Sequence, residues 1–224
     1  MTYEEIKKLT HKEMDILQNE LWELISNNQV DKVKIFLKDF AIDESFYAPT
    51  FDEEQEPLFN AAHCLEKAAL VYEQSGNFDM LECLFRYGLK ASDNDGFRNV
   101  LQYYCDGGGR DERLIAYLLA KGATFEALGK DGLNILHHWA YKQEAEKLAL
   151  AHHFGADMES KSAVKGCEGQ TPLMYAAKSD VAPIGKAMAM LIKLGANIHA
   201  LDSQNRSVLD VALESNKSIL QGKG

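Results

Sequence analysis

Four glycines close four apolar stretches of this chain, and no other feature constrains its fold as much. Gly88 follows Leu84-Phe85-Arg86-Tyr87 and Gly122 follows Leu118-Leu119-Ala120-Lys121. Gly155 ends the stretch from Leu148 to His153, and Gly195 ends Met190-Leu191-Ile192-Lys193-Leu194. Their separations are 34, 33 and 40 residues, so two intervals agree and the third carries an insertion. A glycine just past an apolar helical run is where a left-handed residue closes a helix. Evenly spaced helix ends mean that one helical unit recurs. A unit of that size cannot bury its apolar flanks alone and must stack on its neighbours.

The clearest unit begins Gly169-Gln170-Thr171-Pro172-Leu173-Met174-Tyr175-Ala176-Ala177 and ends at Gly195-Ala196-Asn197. Its neighbours begin Asp131-Gly132-Leu133-Asn134-Ile135-Leu136-His137 and Asn205-Arg206-Ser207-Val208-Leu209. Thr171 can cap the first helix through its hydroxyl. Pro172 at the first helical position wastes no amide hydrogen there. Ala176 and Ala177 are small, which lets two helices approach. This pattern resembles the ankyrin repeat: a turn with glycine, a T-P-L-H-x-A-A helix start, a second helix ending in paired leucines, then G-A-D, with a period of about 33 residues. The resemblance covers residues 95–216 strongly and 20–94 more weakly. It implies an all-α solenoid of about six helix pairs with capped ends. The expected layout is one domain over 1–224, with a helical lead-in at 1–19, divergent repeats at 20–94 and recognisable repeats at 95–220. A division into two domains near residue 95 is the alternative.

Departures from the repeat yield further expectations. In the lead-in, Ile6, Leu9, Ile16 and Leu17 are candidate buried positions, and Thr10-His11-Lys12-Glu13 forms a capping box that starts the helix into Leu21. Residues 57–75 read as one unusually long first helix, because the matching glycine, Gly76, comes 11 residues late. Gly107-Gly108-Gly109 replaces a tight turn between two helices through its flexibility, and lacks the Lys-Ser/Thr ending of a phosphate loop. Trp139 stands where the repeat has a small alanine and predicts local repacking against the preceding unit. The last second helix is expected to be truncated near Leu220, with Asp210, Glu214 and Lys217 as a polar outer face. Two inter-repeat loops, called fingers below, carry four extra residues each: Phe40 to Leu58 and Gly155 to Leu173.

Composition narrows the function classes. Lys and Arg total 24 against 34 Asp and Glu, a net charge of −10, which is the opposite of a nucleic-acid footprint and suits a basic partner. No stretch approaches a membrane span, and the N-terminus has no apolar leader segment, so a cytoplasmic protein is expected. Cys64, Cys83, Cys105 and Cys167 include no Cys-x-x-Cys pair and read as free thiols. His137-His138 and His152-His153 lack carboxylate or thiol partners at helical spacing, so no metal is expected. No nucleophile, dinucleotide or metalloprotease motif is present. No enzyme activity, cofactor or small-molecule ligand is therefore expected.

The resemblance implies binding of another protein through the fingers and the exposed positions of the first helices. Carried over slot by slot, the candidates are Tyr47, Asp52, Glu53, Gln55, His63 and Cys64 in the first long finger and second unit. The third unit offers Asn94, Asp95, Phe97, Cys105 and Asp106, and the fourth Lys130, Asp131, Leu133, Tyr141 and Lys142. The fifth offers Cys167, Glu168, Gln170 and Lys178. In the T-P-L-H slot, His137 is expected to brace the finger by hydrogen bonds. Three functions compete: an adaptor, an immunity-type inhibitor that blocks a basic toxin enzyme, and an enzyme with a site in the divergent segment 40–110.

Overall fold

First helices in this chain start at side chains able to accept a hydrogen bond from their own first turn. In a computed structural model that describes residues 9–39 and 61–221, Thr10 forms the expected capping box with Glu13. Asn99 does the same with Gln102, and Asn134 accepts from the amides of Leu136 and His137. Thr171 accepts from Met174 with Pro172 behind it, and Ser207 pairs with Asp210. The described residues hold twelve α-helices and no strand. They fall into two compact units, 1–123 and 124–224.

The first unit contains α1 (His11–Ser26), α2 (Val30–Asp39), α3 (Ala61–Ser75), α4 (Asp79–Arg86), α5 (Val100–Asp106) and α6 (Glu112–Ala120). The helices pack as the pairs α1/α2, α3/α4 and α5/α6, and the first helices α1, α3 and α5 lie side by side. No separate lead-in helix precedes the first pair among the described residues: α1 runs unbroken from residue 11. Its buried face is Leu21 and Ile25; Ile16 is 57% exposed, against expectation, while Leu9 and Leu17 are half-buried. Ile16 misses the core because the helix turns it away from the stripe set by Leu21 and Ile25. Ile6 and residues 57–60 lie outside the described residues. The expected long helix is seen from residue 61: α3 has 15 residues against seven in α5, and it closes at Gly76 with φ +71°. Its added turns bury Leu65, Ala68, Ala69 and Tyr72.

The triple glycine has a tighter role than flexibility. A Cβ on Gly109 would lie 2.3 Å from the Tyr104 ring. That ring is held flat there because its hydroxyl donates to Glu73 (2.8 Å) and accepts from the Asp111 amide (3.1 Å).

The second unit contains α7 (Ile135–Tyr141), α8 (Ala145–His153), α9 (Pro172–Ala177), α10 (Lys186–Lys193), α11 (Val208–Val211) and α12 (Glu214–Gln221). First helices α7, α9 and α11 pack in a row, and second helices α8 and α10 pack beside them. Trp139 is fully buried, with its ring 6.2 Å from that of Phe125. The last pair differs from expectation: its second helix keeps eight residues, and its first is cut to four. Ala212 turns extended at ψ 142°, and the Leu213 amide then donates to the Ala177 carbonyl. Asp210 and Glu214 are exposed on the outer face, Lys217 is half-buried against Glu214, and exposed Leu209 and Leu213 share that end.

The four anchor glycines occupy one structural position. Gly88, Gly122, Gly155 and Gly195 have φ of +96°, +94°, +83° and +90°. After each, the next amide donates back five residues: Leu89 to Leu84, Ala123 to Leu118, Ala156 to Ala151 and Ala196 to Leu191. This is the same left-handed helix closure four times over. Within the second unit the fingers also dock on one another. The Ala163 amide donates to the Gly132 carbonyl, and the Ser203 amide donates to the Glu168 carbonyl. The long finger is held at Gly166, whose carbonyl accepts from Arg206 at 3.0 Å.

Candidate functional site

A cavity of about 340 Å³ opens on the first-helix side of the second unit. Leu133 closes one edge from the finger before α7. His137, His138, Tyr141 and Lys142 come from α7 and its C-cap, and Tyr175 and Lys178 from α9 and its C-cap. His138, Tyr141 and Lys142 share a helix face because they are three and four residues apart; Tyr175 and Lys178 repeat that spacing on the next first helix.

His137 holds the floor. It is fully buried, and its Nε2 lies 3.0 Å from the Gln170 carbonyl, which can only accept. Its Nδ1 lies 2.6 Å from Asn134 Oδ1. A second ring proton would satisfy that oxygen too, but burial opposes the charge and pushes the imidazole down to about 4, against the pull of the Gln170 carbonyl. The ring is therefore neutral at physiological pH and braces the finger, as the T-P-L-H slot implies.

The rim is polar and partly committed. His138 Nε2 stands 3.0 Å from Asp131, whose other carboxylate oxygen accepts from the Leu133 amide. Lys178 Nζ sits 3.5 Å above the Tyr175 ring, donates to Gln170 Oε1 at 2.7 Å and lies 3.8 Å from Cys167 Sγ. Burial lowers the Lys178 ammonium from its ordinary value. Behind it, Gln170 donates to Asp202. Burial pushes the Asp202 carboxyl up, but hydrogen bonds from Arg206, Gln170 and Gln204 outweigh it and hold the group below the usual carboxylate range.

Of the residues named from sequence, Leu133, Tyr141, Lys142 and Lys178 meet at this cavity. Lys130 and Asp131 are exposed beside it, and Cys167 and Glu168 are half-buried on the next finger. Gln170 differs: it is 2% exposed and uses both ends of its amide inside the unit, so it positions Lys178. His138 and Tyr175 are not among the partner-binding candidates named from sequence. Stepping back three residues from Tyr141 and Lys178 along the helix face finds both.

None of the first-unit candidates lines this cavity. Phe97 is 58% exposed and Asn94 is half-buried, accepting from the Gly96 amide. Asp95 is tied down instead, accepting from the amides of Phe97 and Arg98 and from the Tyr103 hydroxyl at 2.5 Å. His63 is half-buried against the rings of Trp22 and Tyr103. Cys64 and Cys105 are buried, contrary to their assignment to surface slots. In α3 the helix runs on past the slot and turns Cys64 inward; at Cys105 a one-residue shift places it in the slot that Ala177 fills. Burial pushes the Cys64 thiol up to about 12, which leaves it inert. Asp106 pairs with Arg98. Tyr47, Asp52, Glu53 and Gln55 lie outside the described residues.

No disulfide joins the cysteines Cys64, Cys83, Cys105 and Cys167. Among the described residues, no three His, Cys, Asp or Glu side chains gather as a metal site would require, and no helix is long and apolar enough to cross a membrane. No curated protein matches the chain. The family model of the ankyrin repeat matches residues 168–203, the stretch that holds α9, α10 and the Gly195 closure, and this match supports reading that stretch as an ankyrin repeat.

Proposed function

We propose that this chain is a non-catalytic recognition module that binds a partner protein through the cavity bounded by α7 and α9 and through the adjoining fingers. One observation carries the reading: four side chains singled out by repeat position alone, Leu133, Tyr141, Lys142 and Lys178, line a single cavity. Ankyrin repeats are interaction modules in general, and the aromatic walls suit an anchoring side chain, since buried aromatics dominate interface energies. The reading extends to a cytoplasmic ankyrin-repeat protein in which Phe97, Asn94, His63 and the first long finger also contact the partner.

The test is affinity capture with the full chain, repeated with Tyr141→Ala. Tyr141 is 41% exposed, so the variant should keep its circular dichroism and melting temperature. Its yield of the specific partner should fall by at least about tenfold, the loss of one anchoring ring. Equal capture by both proteins would remove the cavity from the binding surface.

The net charge of −10 favours a second reading, a stoichiometric inhibitor of a basic enzyme. Its acidic contacts, Asp52 and Glu53, lie in the first finger, outside the described residues. A complex that survives Tyr141→Ala but dissociates in salt and on neutralising those two residues would support it.

A further inference from the structure

The cavity has a charge of its own that the chain as a whole does not share. Its walls are the apolar faces of Leu133, Tyr141 and Tyr175, and its rim carries Lys142 and Lys178. Among the described residues no carboxylate pairs with either lysine. The nearest acid of the finger, Asp131, is already taken by His138 and the Leu133 amide. Lys178 is half-buried, held over the Tyr175 ring and against Gln170 Oε1, neither of which neutralises it. Asp202 acts on Lys178 only from behind Gln170 and is itself paired with Arg206. An ammonium fixed in place beside an apolar hollow, with no carboxylate in contact, is complementary to a carboxylate attached to a group that fills the hollow. The net charge of −10 predicts a basic partner; the local geometry predicts the opposite.

We infer that the cavity takes an acidic segment of the partner protein, with a large apolar side chain inserted between Tyr141 and Tyr175 and a neighbouring carboxylate paired with Lys178 and Lys142. This rests on the proposed recognition role. It adds the partner's chemistry: an apolar residue flanked by acidic ones.

Three acetylated pentapeptide amides test it on the full ¹⁵N-labelled chain: phenylalanine between two glutamates, phenylalanine between two lysines, and alanine between two glutamates. The first should shift the backbone amides of Leu133, Tyr141 and Lys178 and bind at least about tenfold more tightly than either of the others. In a Lys142→Gln/Lys178→Gln variant with unchanged circular dichroism, its advantage over the lysine-flanked peptide should shrink to within about threefold. Equal or tighter binding of the lysine-flanked peptide would overturn the inference while leaving the cavity as a recognition site. Inorganic phosphate displacing the first peptide at equal concentration would also overturn it, because the rim would then be binding any anion. If none of the peptides moves those amides, the recognition role of the cavity fails as well.

Discussion

At Gly195 the backbone stands at φ +90°, and a Cβ there would meet nothing within 4 Å. The cost of any substitution is therefore the backbone conformation itself, about 1–2 kcal/mol for an L residue and more for a β-branched one. Gly195→Val should lower the melting temperature by several degrees; an unchanged midpoint would show that α10 does not close there. His137 makes a pH prediction. Its folded value of about 4 lies below the ordinary 6.5, so the unfolded chain binds more protons between the two. The stability from the neutral buried ring is thus complete above about pH 6.5 and is lost as pH falls towards 4, by roughly 3 kcal/mol in all. Urea unfolding at pH 7 and pH 4.5 should show the loss, and His137→Gln should flatten it; an equal pH slope in both proteins would exclude this histidine as the source. Positions such as these were legible in sequence because a left-handed glycine and a T-P-L-H histidine are each dictated by local chemistry. Cys105 and Gln170 were not, since a shift of one residue around a helix separates a groove position from a buried one.

Helix α10 begins at Gly185, which has no side chain to cap it. The acceptor comes from another pair: Gln143 Oε1 takes the Ala187 amide at 2.9 Å, while its Nε2 donates to the Ala176 carbonyl. Gln143 is buried, so Gln143→Ala leaves the Ala187 amide without its acceptor at a cost of about 1–3 kcal/mol, while the Ala176 carbonyl still accepts from the Ser179 amide. Hydrogen exchange should show α10 amides losing protection more than those of α8, and equal loss would mean that the side chain is no cap. In the first unit, Gly109→Ala forces a methyl into the Tyr104 ring. It should cost about 1–3 kcal/mol as overpacking, whereas Gly107→Ala, whose nearest contacts are at 3.4 Å, should be close to neutral in the same melt. Equal effects would return the triple glycine to a mere flexible link. The pairing of helices was legible because it follows from phased anchors and apolar stretches. The unequal lengths of α11 and α12 were not: they depend on the Leu213 amide reaching a carbonyl of the previous pair.

Across the whole molecule, net charge misdirects. The excess of acid, including the first finger, points to a basic partner, yet the cavity in the second unit has a cationic rim because Asp131 is consumed locally. Charge summed over a chain speaks to long-range steering, and only placement says what a site will hold. The proposal of one domain rather than two can be read out by a distribution that sequence alone displays: the chain has two tryptophans, Trp22 in the first unit and Trp139 in the second. In Trp22→Phe the remaining fluorescence reports the second unit alone, while circular dichroism reports helices of both. Trp22 is half-buried, edge-on to His63 and 5.0 Å beneath Lys67, and phenylalanine keeps an aromatic ring in that contact. A single stack, stabilised by nearest-neighbour contacts along its length, should lose both signals in one coincident urea transition. Two separate domains would give a fluorescence midpoint displaced from a broader, biphasic dichroism curve, and that result would end the single-domain proposal while leaving the cavity of the second unit intact.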